Sequence, residues 1–186
     1  VGTAAAVAVK NGLTPRGVYQ SKMSEVQALL MDQDCYLPWL KKVVPEMTLA
    51  AQASHEVLRS GIERDLGDAD KGAWLEAGDA AEYRFDTTQK INRVRLVFDS
   101  DFVMIKRMLC SYPLTQADAE LPAMMPRDFE IQACNAGKWQ TVYTVKDNCK
   151  RLVIQDNDAF EAEAVRLVVN SVWGDSKAHV FAFEVS

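Results

Sequence analysis

Residues that build reactive or metal-bound centres are scarce in this sequence. Its 186 residues include four cysteines and two histidines. Cys35, Cys110, Cys134 and Cys149 share no C-x-x-C spacing, and the histidines are His55 and His179, which argues against a structural zinc site. The cysteines read as isolated thiols, and their even number leaves one disulfide open. There is no G-x-G-x-x-G or Walker phosphate loop, and no G-x-S-x-G elbow. His55-Glu56-Val57-Leu58 begins like a zinc-protease helix, but Arg59 stands where the second histidine is needed. The chain itself therefore reads as non-catalytic. Positive charge is also short, with 21 Lys and Arg against 26 Asp and Glu and a net charge of −5. That balance disfavours a nucleic-acid partner, because phosphate binding needs a basic surface. No apolar run approaches the roughly 20 residues of a membrane helix. The chain opens on Val1 and not on Met, so it is expected to be part of a longer protein.

An ordinary globular balance is present, with 48% hydrophobic and 25% charged residues. The first 38 residues read as two helices, over 1–10 and 16–33. Asn11-Gly12 is a stop signal, and Thr14-Pro15 supplies a cap with proline at the first helical position. Tyr19, Met23, Val26 and Leu30 recur at helical spacing as one apolar stripe. Residues 39–47 read as a linker around Pro45.

From residue 48 to 186 the period becomes two. Ala81, Tyr83 and Phe85 alternate with polar neighbours, as do Val94, Leu96 and Phe98. Phe129, Ile131 and Ala133 repeat the pattern, then Val165, Leu167 and Val169, then Phe181, Phe183 and Val185. Such strands have one buried and one wetter face, as in antiparallel sheets. Asn135-Ala136-Gly137-Lys138 reads as a hairpin turn. Pro113, Pro122 and Pro126 mark residues 109–127 as a long surface loop. The expected fold is mainly β, an antiparallel β-sandwich or jelly roll preceded by two α-helices. Tyr83, Phe85, Leu96, Phe98, Phe129, Ile131, Leu167 and Phe183 are expected to be buried.

Three features carry candidate chemistry. Gly2, Thr3 and Ala4 open a helix whose first N–H groups favour an anionic or electron-rich ligand. The turn Gly67-Asp68-Ala69-Asp70 concentrates carboxylates ahead of Trp74. Trp74, Tyr112, Trp139 and Trp173 lie near turns. Trp74 is expected in the core. Trp173 is expected either at one end of the sandwich as a stacking platform for a sugar ring, with Asn170, Asp175 and His179 as hydrogen-bonding partners, or folded back to cap the core.

Two family resemblances follow from these pieces. Val1-Gly2-Thr3-Ala4-Ala5-Ala6, Thr14-Pro15-Arg16 and Cys35-Tyr36-Leu37-Pro38 resemble the end of the flavin domain in bacterial FAD-dependent oxidoreductases related to xanthan lyases. That resemblance implies that Gly2, Thr3 and Ala4 lie against FAD in the longer protein, with an upstream flavin domain as partner. It does not imply that this piece holds FAD alone.

Residues 48–186 resemble the galactose-binding-like jelly roll of discoidin and coagulation-factor C domains. The resemblance rests on Ala51-Gln52-Ala53-Ser54, Gly67-Asp68-Ala69-Asp70 with Trp74, Ala81 to Asp86, Ile91 to Asp99, Arg127 to Ala133, Ala164 to Val169 and Phe183-Glu184-Val185. It implies a structural Ca²⁺ held by Asp68, Asp70 and Glu184, although Gly72-Ala73 stand where the family offers an oxygen side chain. Together the two resemblances imply a carbohydrate-binding module at the end of a larger oxidoreductase, for which a periplasmic or secreted location is expected, or else a structural spacer without a ligand.

Overall fold

The computed structural model describes residues 1–65, 67, 71–101, 121–156 and 158–186. They divide into two units, Val1–Val43 and Val44–Ser186.

The first unit holds α1 (Gly2–Asn11), α2 (Pro15–Ser21) and α3 (Met23–Asp32). Helix α1 stops at Gly12, whose φ of 63° is the left-handed value glycine adopts without strain. Thr14 caps α2 by accepting a hydrogen bond from the Gly17 N–H at 3.2 Å, and Pro15 follows it. The single helix expected over 16–33 is broken at Lys22, where φ is −133°. The Ser21 hydroxyl donates to the Gly17 carbonyl at 2.8 Å, a back-bond that competes with the helical ladder. The break resets the helical phase. Tyr19 and Met23 therefore end up exposed, while Val26 joins Val7 and Val18 in a small core flanked by Leu30.

The second unit begins with α4 (Glu46–Ala50), within and beyond the segment read as linker. It continues as β1 (Gln52–Ala53), a 3₁₀ turn (Glu56–Arg59), β2 (Ala73–Glu76), β3 (Ala80–Ile91) and β4 (Val94–Phe98). Then follow β5 (Pro126–Asn135), β6 (Lys138–Val145), β7 (Leu152–Gln155), β8 (Phe160–Val172) and β9 (Lys177–Val185). All paired strands are antiparallel. One sheet runs β1-β3-β8-β5-β6 and the other β2-β9-β4-β7. This is the mainly β sandwich expected from the alternating segments.

The inner faces meet in a continuous apolar core. The rings of Phe98 and Phe129 pack edge to face at 5.1 Å, and those of Tyr83 and Phe183 stack at 4.9 Å. The Tyr83 hydroxyl crosses from one sheet to the other and donates to the Phe183 carbonyl at 2.8 Å. Burial pushes this phenol well above its ordinary pKa. Seven of the eight side chains expected inside are buried, and Phe85 is half-buried, where β3 shifts register after Arg84. Two residues further along β9, Thr48 Oγ1 donates to the Val185 carbonyl and accepts from its N–H, both at 2.8 Å.

The hairpin at 135–138 joins β5 to β6, with Ala136 and Gly137 at φ 50° and 73°, as a two-residue primed turn requires. The surface loop expected over 109–127 is shorter at its end, since Pro126 and Arg127 belong to β5. Tyr112, Cys110 and residues 109–120 of that expectation lie outside the described residues. Cys35, Cys134 and Cys149 are free thiols. No helix among the described residues is long and apolar enough to cross a membrane.

Candidate functional site

Strand β2 alternates buried and exposed positions, with Ala73 and Leu75 inward and Trp74 and Glu76 outward. Its pairing with β9 sets Trp74 opposite His179 and Glu76 opposite Lys177. Trp74 is 41% exposed, which overturns the expectation that it fills the core. The pleat explains the difference: Leu75 takes the inward position, so both its neighbours must face out.

The Trp74 indole lies flat on the buried His179 ring, with centroids 4.1 Å apart and planes within 1°. His179 is held from below by Phe181 at 4.6 Å and from the side by Asp99, whose Oδ2 lies 2.8 Å from Nδ1. Burial pushes the Asp99 carboxyl up. Hydrogen bonds from His179 and the Asp101 N–H, with the charges of His179 and Arg151, outweigh that and hold it below its usual value.

Gly72 completes the support. A Cβ there would lie 2.6 Å from His179 Nε2 and 2.7 Å from the Val180 carbonyl oxygen, so only glycine lets the chain enter β2 this close to the imidazole. Two residues along from Trp74, Glu76 and Lys177 form an ion pair at 3.0 Å. The arrangement is thus an exposed aromatic plane on a fixed base, beside an acceptor and a donor. It suits a ligand with an apolar ring face and polar edges.

The other end-loop aromatic is engaged differently. Trp173 follows β8, packs on the core, and donates its indole N–H to the Asn148 carbonyl at 2.7 Å. The Arg127 guanidinium lies 4.8 Å from its ring centroid, over the ring. Asp128 ties the same end together by accepting from the Ser171 hydroxyl at 2.6 Å and the Asp147 N–H at 2.9 Å, bonds that hold its carboxyl below the usual value.

Of the partners expected around Trp173, Asp175 is exposed in the adjoining turn and accepts from the Ser176 N–H. Asn170 is exposed and hydrogen-bonds Glu130. His179 stacks under Trp74, and its backbone N–H donates to the Met124 carbonyl, next to the Met125 carbonyl that accepts from the Trp173 N–H. Trp139, the remaining indole near a turn, carries the Arg166 guanidinium at 4.1 Å.

Trp74, Glu76, Lys177 and Asp99 were not singled out as a group from the sequence. One signal was available: Trp74 and Glu76 are two apart in a strand, so an outward Glu76 carries Trp74 with it.

Of the expected calcium ligands, only Glu184 belongs to the described residues. Asp68 and Asp70 lie outside the described residues. Glu184 is buried and faces the Arg95 guanidinium, with Nη1 to Oε2 at 3.4 Å. Among the described residues no group of three or more His, Cys, Asp or Glu side chains could hold a metal ion. The described part of the donor set thus does not fit Ca²⁺, because a guanidinium repels a second cation at the same carboxylate. In the helical unit, Gly2, Thr3 and Ala4 form the first turn of α1, which has no side-chain cap. The Thr3 hydroxyl donates to Gln33 Oε1 at 3.3 Å.

The jelly roll defined by these two sheets is the class of fold found in family 32 carbohydrate-binding modules. Its solved neighbours include the family 32 module of Streptococcus pneumoniae EndoD, at a TM-score of 0.54 and 11% identity, covering 75% of this chain and 97% of that module. They also include the chitosan-binding module 1 of a chitosanase/glucanase from Paenibacillus sp. IK-5, at 0.46 and 19%, covering 73% and 92%. A third is the family 32 module of Clostridium perfringens NanJ in complex with galactose, at 0.44 and 13%, covering 73% and 90%. No family model matches the chain, and no curated protein matches it.

Proposed function

We propose that residues 44–186 form a non-catalytic carbohydrate-binding module, with Trp74 as the platform for a sugar ring and Glu76 and Lys177 as its hydrogen-bonding partners. The observation that carries this reading is the exposed Trp74 indole fixed flat on the buried His179–Asp99 pair. A rigid aromatic loses little entropy on stacking, and the adjacent ion pair offers both an acceptor and a donor to hydroxyls. The fold shared with a family 32 module supports the same reading.

Screening on a glycan array, followed by calorimetric titration of the best glycan, tests it. Trp74→Ala should abolish binding with the melting temperature almost unchanged, and Trp173→Ala should preserve affinity in whatever fraction stays folded. Loss of binding only in Trp173→Ala returns the site to the loop end, with Asn170 and Asp175. No binding by the wild type to any glycan favours a structural spacer that binds no ligand.

A second reading concerns the helical unit. We propose that Val1–Val43 closes a flavin domain of a larger FAD-dependent oxidoreductase, with Gly2, Thr3 and Ala4 beside the flavin. The uncapped first turn of α1 favours it, since its N–H groups have no side-chain acceptor to compete with a ligand. A longer form of the protein that purifies without a flavin absorption spectrum would overturn it.

A further inference from the structure

We propose that the Arg95 guanidinium takes the place of the calcium ion that the jelly-roll resemblance implies, so that the segment before β2 is tied to the last strand without a metal. Arg95 stands on β4, paired across the sheet with Glu184 of β9 and Ile154 of β7, and its side chain is 1% exposed. It is a full positive charge on the outer face of the sheet, opposite to the core that Leu96 and Phe98 face. Its fork grips Glu63, with Nη1 against Oε1 and Nη2 2.9 Å from Oε2. The same Nη1 lies 3.4 Å from Glu184 Oε2. One buried cation thus joins a carboxylate from the segment ahead of β2 to a carboxylate from the final strand.

A second arginine secures the same point. Arg151 donates to the backbone carbonyl of Glu63 through Nη2 and to that of Phe98 through Nη1, the latter at 2.8 Å. Glu63 is therefore held through its side chain by Arg95 and through its main chain by Arg151.

This is the mechanical task expected of the ion. A Ca²⁺ bound by Glu184 would sit about 2.3–2.6 Å from a carboxylate oxygen. It would share that carboxylate with a guanidinium in a poorly screened interior, where like charges repel strongly. The planar fork of arginine also suits two-point carboxylate recognition, which a lysine ammonium does not reproduce. Deleting the guanidinium would remove the charge that faces both Glu63 and Glu184, whose carboxylates are ligands of the hard oxygen kind that calcium takes.

Differential scanning calorimetry of the 186-residue chain tests this, run in millimolar CaCl₂ and in EGTA. The wild type should melt at the same temperature in both. Arg95→Ala should melt several degrees lower in EGTA, and millimolar Ca²⁺, but not the same concentration of K⁺, should recover part of that loss. Arg95→Lys should fall between them and gain nothing from calcium. A wild-type midpoint that rises with Ca²⁺ overturns the proposal, and this arm requires no variant to fold. An Arg95→Ala chain that calcium neither stabilises nor refolds overturns the equivalence of guanidinium and ion.

Discussion

The helical unit and the sandwich solve the burial problem to very different degrees. Val7, Val18 and Val26 are the buried core of the first unit, and around them Val9, Tyr19, Trp39 and Val43 remain exposed. The second unit seals a core that runs from Ala51 to Val185 and includes Tyr83, Phe98, Phe129 and Phe183. A stretch of about 40 residues rarely buries enough apolar surface to offset its ordering entropy alone. The sandwich, by contrast, lies within the ordinary size range of independent domains. What differs is not hydrophobic content but closure: sheets facing each other bury whole faces, whereas three short helices bury one residue apiece.

The sharpest way to break that contrast is to open a cavity in each core. Phe129→Ala should cost the sandwich about 3–5 kcal/mol, as large-to-small changes at buried aromatic sites do. Urea unfolding followed by tryptophan fluorescence would measure it. Val18→Ala should leave the sandwich transition in place and lower only the helical circular-dichroism signal. A common shift of both transitions in either variant would show that the two units unfold together.

An intermediate effect concerns acid. Asp99 has a depressed pKa in the folded chain, so the stability it contributes is present above its unfolded value of about 3.9 and is lost as pH falls through the folded value. Asp99→Asn should flatten the decline of the sandwich midpoint below about pH 4. Melts across an acid series decide it, and an unchanged slope would remove Asp99 from the account. The smallest effect belongs to the helical unit. Thr14→Ala removes the cap of α2 and should cost about 1 kcal/mol of helix stability, read as reduced ellipticity at 222 nm with the sandwich midpoint unmoved.

The legible parts of the molecule were those with a clean period. Strands β3, β5 and β8 announce themselves through alternation because one face lies on the core and the other is wetter, whereas β4 and β9 alternate in sequence yet are buried on both faces, against the expectation of a wetter side. Strand β7 is four residues at a sheet edge, and β2 is four residues at the edge of the same sheet. Neither is long enough to show a period against its surroundings. The candidate site depended on β2, so its aromatic was assigned to the wrong side of the sheet. His179 was picked out as functional, but its partners come from β2 and from the end of β4, a juxtaposition fixed by strand order and not by sequence distance. The helix break at Lys22 was hidden for another reason. It coincides with a serine hydroxyl returning to a carbonyl four residues back, a local bond that apolar spacing does not register.

The strand order also determines when this sandwich can exist. Strand β8 lies between β3 and β5, and β9 lies between β2 and β4, so the final strands of the chain occupy the interior of both sheets. During synthesis β3 and β5 emerge before β8, and β2 and β4 before β9, so each sheet lacks its central strand until then. The nascent sandwich carries unpaired edges and apolar faces until β8 and β9 have emerged, and it then closes by pairings distant in sequence, which are slow to form. Protein quality control meets this domain as a chain held open until β9 has been made, and a truncation that removes β9 would take out the middle of a sheet, not its margin.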